Sequence, residues 1–354
     1  AHGGRGGLPG GRGGAGDRAW DRGAMEILTA HAGSYPRVGD TAEEQRLRRA
    51  YAERERGEIS PEEFERIQDE VTHAAMTEQI AAGLDLVTDG QIRWYDPISH
   101  LAGKLEHVTI NGLLRFFDTN FYFRQPVVTG RVSRAEGLIL EEYRFAKGVV
   151  ERSVKPVLTG PYTLATSSIR QAGIYATIGS LMEDYARVLG EEVAALAQSG
   201  AELIQIDEPS LLRQPKDLSL VRHGLEILGG RRGGARLQLS TYFGDVTPLY
   251  EALQDLPVDV LGLDFTYSPR LPDLIARVGS RKVLALGLID GRNTKMETET
   301  MVFPILDKIL PRLDDGVIYL SPSCGLEYLS RDKAREKLRL LSRLRDGFLR
   351  RGRR

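Results

Sequence analysis

The chain has 354 residues, 41% hydrophobic and 27% charged, the make-up of an ordinary globular protein. Its 48 basic and 49 acidic residues nearly cancel, so no global field draws it to nucleic acid or to an anionic membrane. No apolar run approaches the roughly 20 residues of a membrane span, and a single cysteine, Cys324, excludes an intramolecular disulfide and makes a reduced, cytoplasmic setting the default.

Residues 1–24 are mostly Gly, Arg and Ala without apolar periodicity. Such a segment buries too little surface to offset its ordering entropy, so it reads as a disordered extension ahead of a domain opening at Met25. Glu26–His31 reads as a strand broken by Gly33-Ser34-Tyr35-Pro36. Helices are expected over 42–55 and 61–82, the second capped by Ser60 with Pro61 in its first turn. A strand over 84–88 runs into Asp89, Gln91 and Arg93. Residues 104–135 alternate apolar and polar, which predicts a β-hairpin excursion beside the main fold. After a helix over 138–150, the strand 155–159 ends at Thr159-Gly160-Pro161-Tyr162.

From there the pattern is regular. A helix over 178–199 leads to a strand over 202–206 and then Asp207-Glu208-Pro209. A helix over 217–228 leads to a strand over 236–240, ending in Ser240, Tyr242 and Asp245. A helix over 247–255 leads to a strand over 258–263 and Asp264. A helix over 270–278 leads to a strand over 282–287, followed by Asp290, Arg292 and Asn293. A helix over 298–312 leads to a strand over 317–320 and Ser321-Pro322-Ser323-Cys324. A last helix covers 331–349, and 350–354 form a basic tail. Strands alternating with helices in this way predict an α/β fold, a TIM (β/α)8 barrel spanning 25–349.

Every expected strand delivers a polar or reactive group at its carboxyl end. In a barrel these groups ring one mouth, where ligands bind. Ile204-Gln205-Ile206-Asp207-Glu208-Pro209 is the most pointed case: desolvated carboxylates are costly, and proline stops the strand beside them.

Gly33-Ser34-Tyr35-Pro36, Thr159-Gly160-Pro161, Ile204 to Pro209 and Ser321-Pro322-Ser323-Cys324-Gly325-Leu326, in this order, resemble the cobalamin-independent methionine synthases. The resemblance spans about 26–345, one barrel where the long enzymes have two, and the size is similar to the single-barrel, archaeal-type members. It implies a TIM barrel that transfers a methyl group to the thiol of homocysteine or a similar small thiol. It implies that Gly33, Ser34 and Asp207 hold the amino-acid substrate, with Gln91, Glu208 and Tyr242 beside them and His31 as a general acid or base. It also implies zinc, held in the family by a His and a Cys two apart, an acid and a second Cys. Here Ser240 and Tyr242 stand at the first two positions, Asp264 replaces a Glu, and only Cys324 is kept. The metal-site residues are therefore Cys324 and Asp264, an incomplete pair, with His31 and Asp245 as substitutes. Several strand ends look more like the non-catalytic amino-terminal barrel of the long enzymes.

The methyl donor stays open between a folate and a methylcorrinoid, the latter bringing a corrinoid protein as partner. Two other readings keep the fold. One is a metal-free enzyme of the same superfamily, decarboxylase-like or corrinoid-linked, in which Arg93, Arg124 and Arg292 would bind an anionic substrate. The other is a non-catalytic ligand-binding barrel.

Overall fold

A computed structural model describes residues 25–314 and 316–351; the expected extension at 1–24 and the end of the basic tail lie outside these. The strands in chain order are β1 (Glu26–Thr29), β2 (Leu86–Val87), β3 (Leu105–Arg115), β4 (Tyr122–Arg134), β5 (Ser153–Val154), β6 (Val157–Thr159), β7 (Ile169–Arg170), β8 (Leu203–Asp207), β9 (Arg236–Thr241), β10 (Val260–Asp264), β11 (Val283–Ile289) and β12 (Val317–Pro322). Seven form one parallel sheet in the order β1-β12-β11-β10-β9-β8-β6. The ring closes through β2, bridged to β1 at Ala30 and Leu86 and paired in parallel with β5. Pro156 separates β5 from β6, so these two pieces are one stave broken by a residue that cannot donate to the ladder. The result is the (β/α)8 barrel.

The helices follow from their own signals. Ser60 accepts from the Glu63 N–H at the head of helix Pro61–Ala81, with proline at the first position and acids in the first turn. Thr177 and Ser180 form a reciprocal cap on helix Ile178–Gln198. The last helix, Arg331–Arg351, runs past the expected boundary at 349, so the first residues assigned to the tail are helical.

Along each barrel strand the side chains alternate between the helices and the barrel interior. Ile204, Ile206, Leu237 and Leu239 belong to the layer between sheet and helices. Ala30, Leu203, Val260, Val283, Ala285 and Tyr319 form a separate cluster that plugs the amino-terminal end of the barrel. Above that plug the inward positions turn polar, with Gln205 and Asp207 on β8 and Gln238 and Ser240 on β9.

β3 and β4 form a long antiparallel pair outside the barrel, and β7 adds to β4 in parallel. Between them, Phe116–Phe121 folds back over the mouth. Arg292 Nη1 donates to Asp118 Oδ1 at 3.0 Å, and Phe121 stacks edge-on to Tyr328 with ring centroids 4.8 Å apart. The excursion therefore reaches the mouth instead of only decorating the barrel.

Candidate active site

Asp207 is the innermost carboxylate of the mouth. β8 aims it inward beside Ser240 of β9, its neighbour in register. Gln205 Nε2 donates to its Oδ1 at 2.7 Å, and Tyr242 Oη donates to its Oδ2 at 3.2 Å. Among the described residues no Lys or Arg makes an ion pair with it. Burial pushes its pKa up to about 7, against the pull of Gln205, Lys155 and Tyr242. It is a desolvated carboxylate with no cation in contact.

Lys155 lies directly below. Its side chain is almost fully buried, and its ammonium donates to Gln205 Oε1. Gln205 Nε2 also donates to the Ala32 carbonyl, and Gln238 Nε2 donates to Gln205 Oε1 at 3.1 Å and to Ser240 Oγ at 2.8 Å. This layer of amides and one cation fits because Gly262 stands opposite on β10. A methyl group there would collide with Ser240 Oγ and with Gln238 Nε2. Burial lowers the Lys155 pKa to about 8 while Asp207 opposes the fall, so the amine is still mostly charged at neutral pH.

Glu208, next in sequence, points the other way. Its Oε1 accepts from the Tyr162 N–H at 2.9 Å. Its Oε2 accepts from the Thr163 N–H at 2.7 Å and from the Thr163 hydroxyl at 2.6 Å. Both oxygens are spent on the head of helix Pro161–Ser167. Its expected place among the substrate-binding residues is thereby corrected: it holds the helix that flanks the mouth.

His31 is fully buried. The Gly33 N–H donates to Nδ1 at 3.2 Å, and Thr88 Oγ1 lies 2.9 Å from the same nitrogen. Both contacts fall on Nδ1, and among the described residues Nε2 has no partner. Burial, aided by Lys155, pushes its pKa down to about 3, so the ring is neutral and is not an acid at neutral pH. Gly33, at φ 149°, makes the turn that brings its N–H onto the ring, and its carbonyl accepts from Thr88 Oγ1 at 2.6 Å. The Ser34 carbonyl accepts from the Leu326 N–H at 2.7 Å, which ties the first turn to the loop after β12. Gln91, at φ 52°, is buried near Gly33, its N–H donating to Asp89 Oδ1 at 3.0 Å.

Asp264 and Cys324 were the expected metal pair. Asp264 Oδ1 accepts from the Thr266 N–H and hydroxyl at 2.9 and 2.6 Å and from the Tyr267 N–H at 3.3 Å; Oδ2 accepts from the Phe243 N–H at 3.3 Å. A carboxylate so engaged is a turn-former. The Cys324 thiol sits 3.4 Å from the Gly325 carbonyl and 3.9 Å from Ser323 Oγ. Burial, then the charge of Asp264, pushes it well above the ordinary thiol range. Among the described residues no three His, Cys, Asp or Glu side chains converge as a metal site. A zinc site needs three or four such donors, so the residues present do not fit the implied ion. Asp245, offered as a substitute, instead accepts from the Thr247 N–H and faces Arg270.

Lys155, Gln238 and the Phe116–Phe121 turn were not singled out from sequence. The arginines of the anionic-substrate reading are also occupied elsewhere: Arg93 pairs with Asp69, Arg124 stacks over Tyr95 and Arg292 pairs with Asp118. Among the described residues no helix is long and apolar enough to cross a membrane.

Residues 103–312 match the family described as "Cobalamin-independent synthase, N-terminal domain". A methionine synthase of Saccharolobus solfataricus is 30% identical over 318 residues, covering 88% of this chain and 92% of that protein. One of Sulfolobus acidocaldarius is 28% identical over 315 residues, covering 88% and 89%. Among solved structures, a B12-independent methionine synthase from Shewanella, in complex with selenomethionine, superposes with a TM-score of 0.73 at 23% identity, covering 91% of this chain and 98% of that one. A putative vitamin-B12-independent methionine synthase from Listeria monocytogenes gives 0.71 at 18% identity, covering 91% and 98%. A cobalamin-independent family runs against the methylcorrinoid donor and the corrinoid-protein partner.

Proposed function

Because the chain belongs to the cobalamin-independent methionine synthase family, we propose that it is a methyltransferase that moves a methyl group to the thiol of homocysteine or a similar small thiol, and that Asp207 takes the substrate's ammonium. One observation carries the assignment of Asp207. A buried carboxylate held by one amide and one phenol, with no cation in contact, is half of an ion pair. Leaving it unpaired costs free energy that an incoming ammonium recovers. Tyr242 orients the carboxylate from the solvent side and Gln205 from below. The turn at Gly33 and Ser34 lies across the mouth, where its backbone suits the substrate carboxylate, and Gln91 lines that side.

The donor in this reading is a folate, and the setting is cytoplasmic. His31 helps by position, since its neutral ring fixes the Gly33 turn through Nδ1. No step is routed through zinc, because Asp264 and Cys324 do not assemble a site for it.

Calorimetric titration of the full chain tests the reading. Homocysteine and methionine should bind, whereas 4-mercaptobutyrate, which lacks the amino group, should not. Equal binding of the amine-free analogue would remove Asp207 from its role. Binding of none of the three would remove the substrate class.

A further inference from the structure

A methyl acceptor thiol must lose its proton, since the thiolate is the nucleophile. Zinc would do this, but among the described residues no ligand set for it converges. What stands in its place is a small cavity of about 20 Å³ just inside the mouth. Lys155, Ser240, Thr241, Ser321, Ser323 and Cys324 line it. A polar cavity of this size holds one water-sized group.

Its lining is rich in donors and carries one cation. The Lys155 ammonium has three N–H groups, of which one goes to Gln205 Oε1, and among the described residues it makes no ion pair. Ser321, on the same inward face of β12 as Tyr319, adds a hydroxyl to the lining. Tyr242 both lines the cavity and donates to Asp207, so the cavity and the ammonium seat adjoin. The charges facing the cavity are few. Asp207 reaches Lys155 through Gln205, and His31 is neutral. Asp264 and Asp290 act on the lining Cys324 as negative charges and Arg292 as a positive one, and the Asp264 oxygens already accept from Thr266, Tyr267 and Phe243.

We propose that this cavity is a metal-free thiolate seat, in which the Lys155 ammonium stabilises the substrate sulfur as its anion. This rests on the methyl-acceptor reading given above. The S–H bond breaks heterolytically as the ligand binds. The electron pair stays on sulfur, and the proton leaves to solvent. A buried cation favours a charged partner far more than water does, since neither is screened by solvent. Homocysteine then reaches both seats at once, its ammonium on Asp207 and its sulfur one short side chain deeper.

The test is proton release on binding, measured by titration calorimetry of the full chain, treated with EDTA, in buffers of different ionisation enthalpy. Methionine is the control, because it shares the ammonium and has no proton on sulfur. At neutral pH, homocysteine should release about one proton more than methionine, because a free thiol of pKa near 8.5 is mostly protonated there. Lys155→Met should abolish that difference and weaken homocysteine by about tenfold or more, with methionine changed by less than about threefold. Thr241→Val, a change on the helix-facing side of β9, is the control and should leave the difference unchanged. The seat is refuted if the two ligands release equal protons from the wild-type chain. It is equally refuted if the difference survives in Lys155→Met or arises only after zinc is added. If neither ligand binds, the methyl-acceptor reading fails first and the seat fails with it.

Discussion

Replacing Asp207 with Asn should weaken the substrate and strengthen the fold, and the two effects can be separated by pH. The carboxylate is buried and its pKa stands at about 7, against about 4 in an unfolded chain. For an acid with a raised folded pKa, the ionised form is disfavoured in the folded state. Below about pH 4 both states are protonated and there is no penalty. Between about 4 and 7 the unfolded state ionises while the folded one resists, and folded stability falls by about 1.4 kcal/mol per pH unit. Above about 7 the penalty is constant, at roughly 4 kcal/mol as an upper figure. Asp207→Asn removes this term, and its amide can still accept from Gln205 and meet the Tyr242 hydroxyl. The gain in unfolding free energy, measured by urea titration across pH, should therefore grow from pH 5 to 7 by about 2 to 3 kcal/mol and then level off. Binding should move the opposite way. Loss of a charged hydrogen bond to the ammonium costs about 1.5–3 kcal/mol, or tenfold to a hundredfold in homocysteine affinity. A stability gain that is flat with pH would refute the desolvated carboxylate. Unchanged homocysteine affinity would refute the ammonium seat.

Other outcomes follow from the same contacts. Glu208→Ala leaves the Tyr162 and Thr163 N–H groups and the Thr163 hydroxyl unsatisfied in a buried place, and should cost about 3 kcal/mol or more in unfolding free energy. A loss below about 1 kcal/mol would show that Glu208 is not the helix anchor. The purified chain should carry less than about 0.1 zinc per molecule, and added zinc should not reach full occupancy, because the site lacks the three or four ligands required. Stoichiometric zinc by metal analysis would overturn that. Cys324, buried with a raised pKa, should resist a thiol reagent in the folded chain and react after denaturation. Asp118→Ala should change stability by less than about 1 kcal/mol, since the Arg292 pair is partly exposed, yet should speed ligand dissociation by loosening the turn over the mouth.

Much of this was legible in the residues. The alternation of apolar strand and amphipathic helix is imposed by a parallel sheet buried on both faces, so the (β/α)8 order could be read from periodicity. Asp207 was legible because a strand that ends in acids and then proline has few purely structural uses. The place of Glu208 carries its own signal. Neighbouring residues on a strand face opposite sides, so if Asp207 faces the barrel, Glu208 faces the helices. Lys155 was hidden for a different reason. A lysine at the start of a strand ordinarily faces solvent, but here it shares the inward face with Val157 and Thr159, which pair with Gln205 and Asp207. The Phe116–Phe121 turn was legible as part of a hairpin, but contacts with Arg292 and Tyr328 across more than 170 residues leave no local pattern. The state of Asp264 has no local signal, since an acid at a strand end reads alike whether it awaits a metal or closes a turn.

Asp207 and the cavity beneath it form one seat for an amino-acid thiol in this reading. The measurement that reaches it most directly is paired calorimetric titration of the EDTA-treated chain with homocysteine and 4-mercaptobutyrate. Homocysteine should bind, removal of its amino group should abolish binding, and Asp207→Asn should erase the distinction. Equal affinity for the two ligands, or a requirement for zinc before either binds, would contradict it.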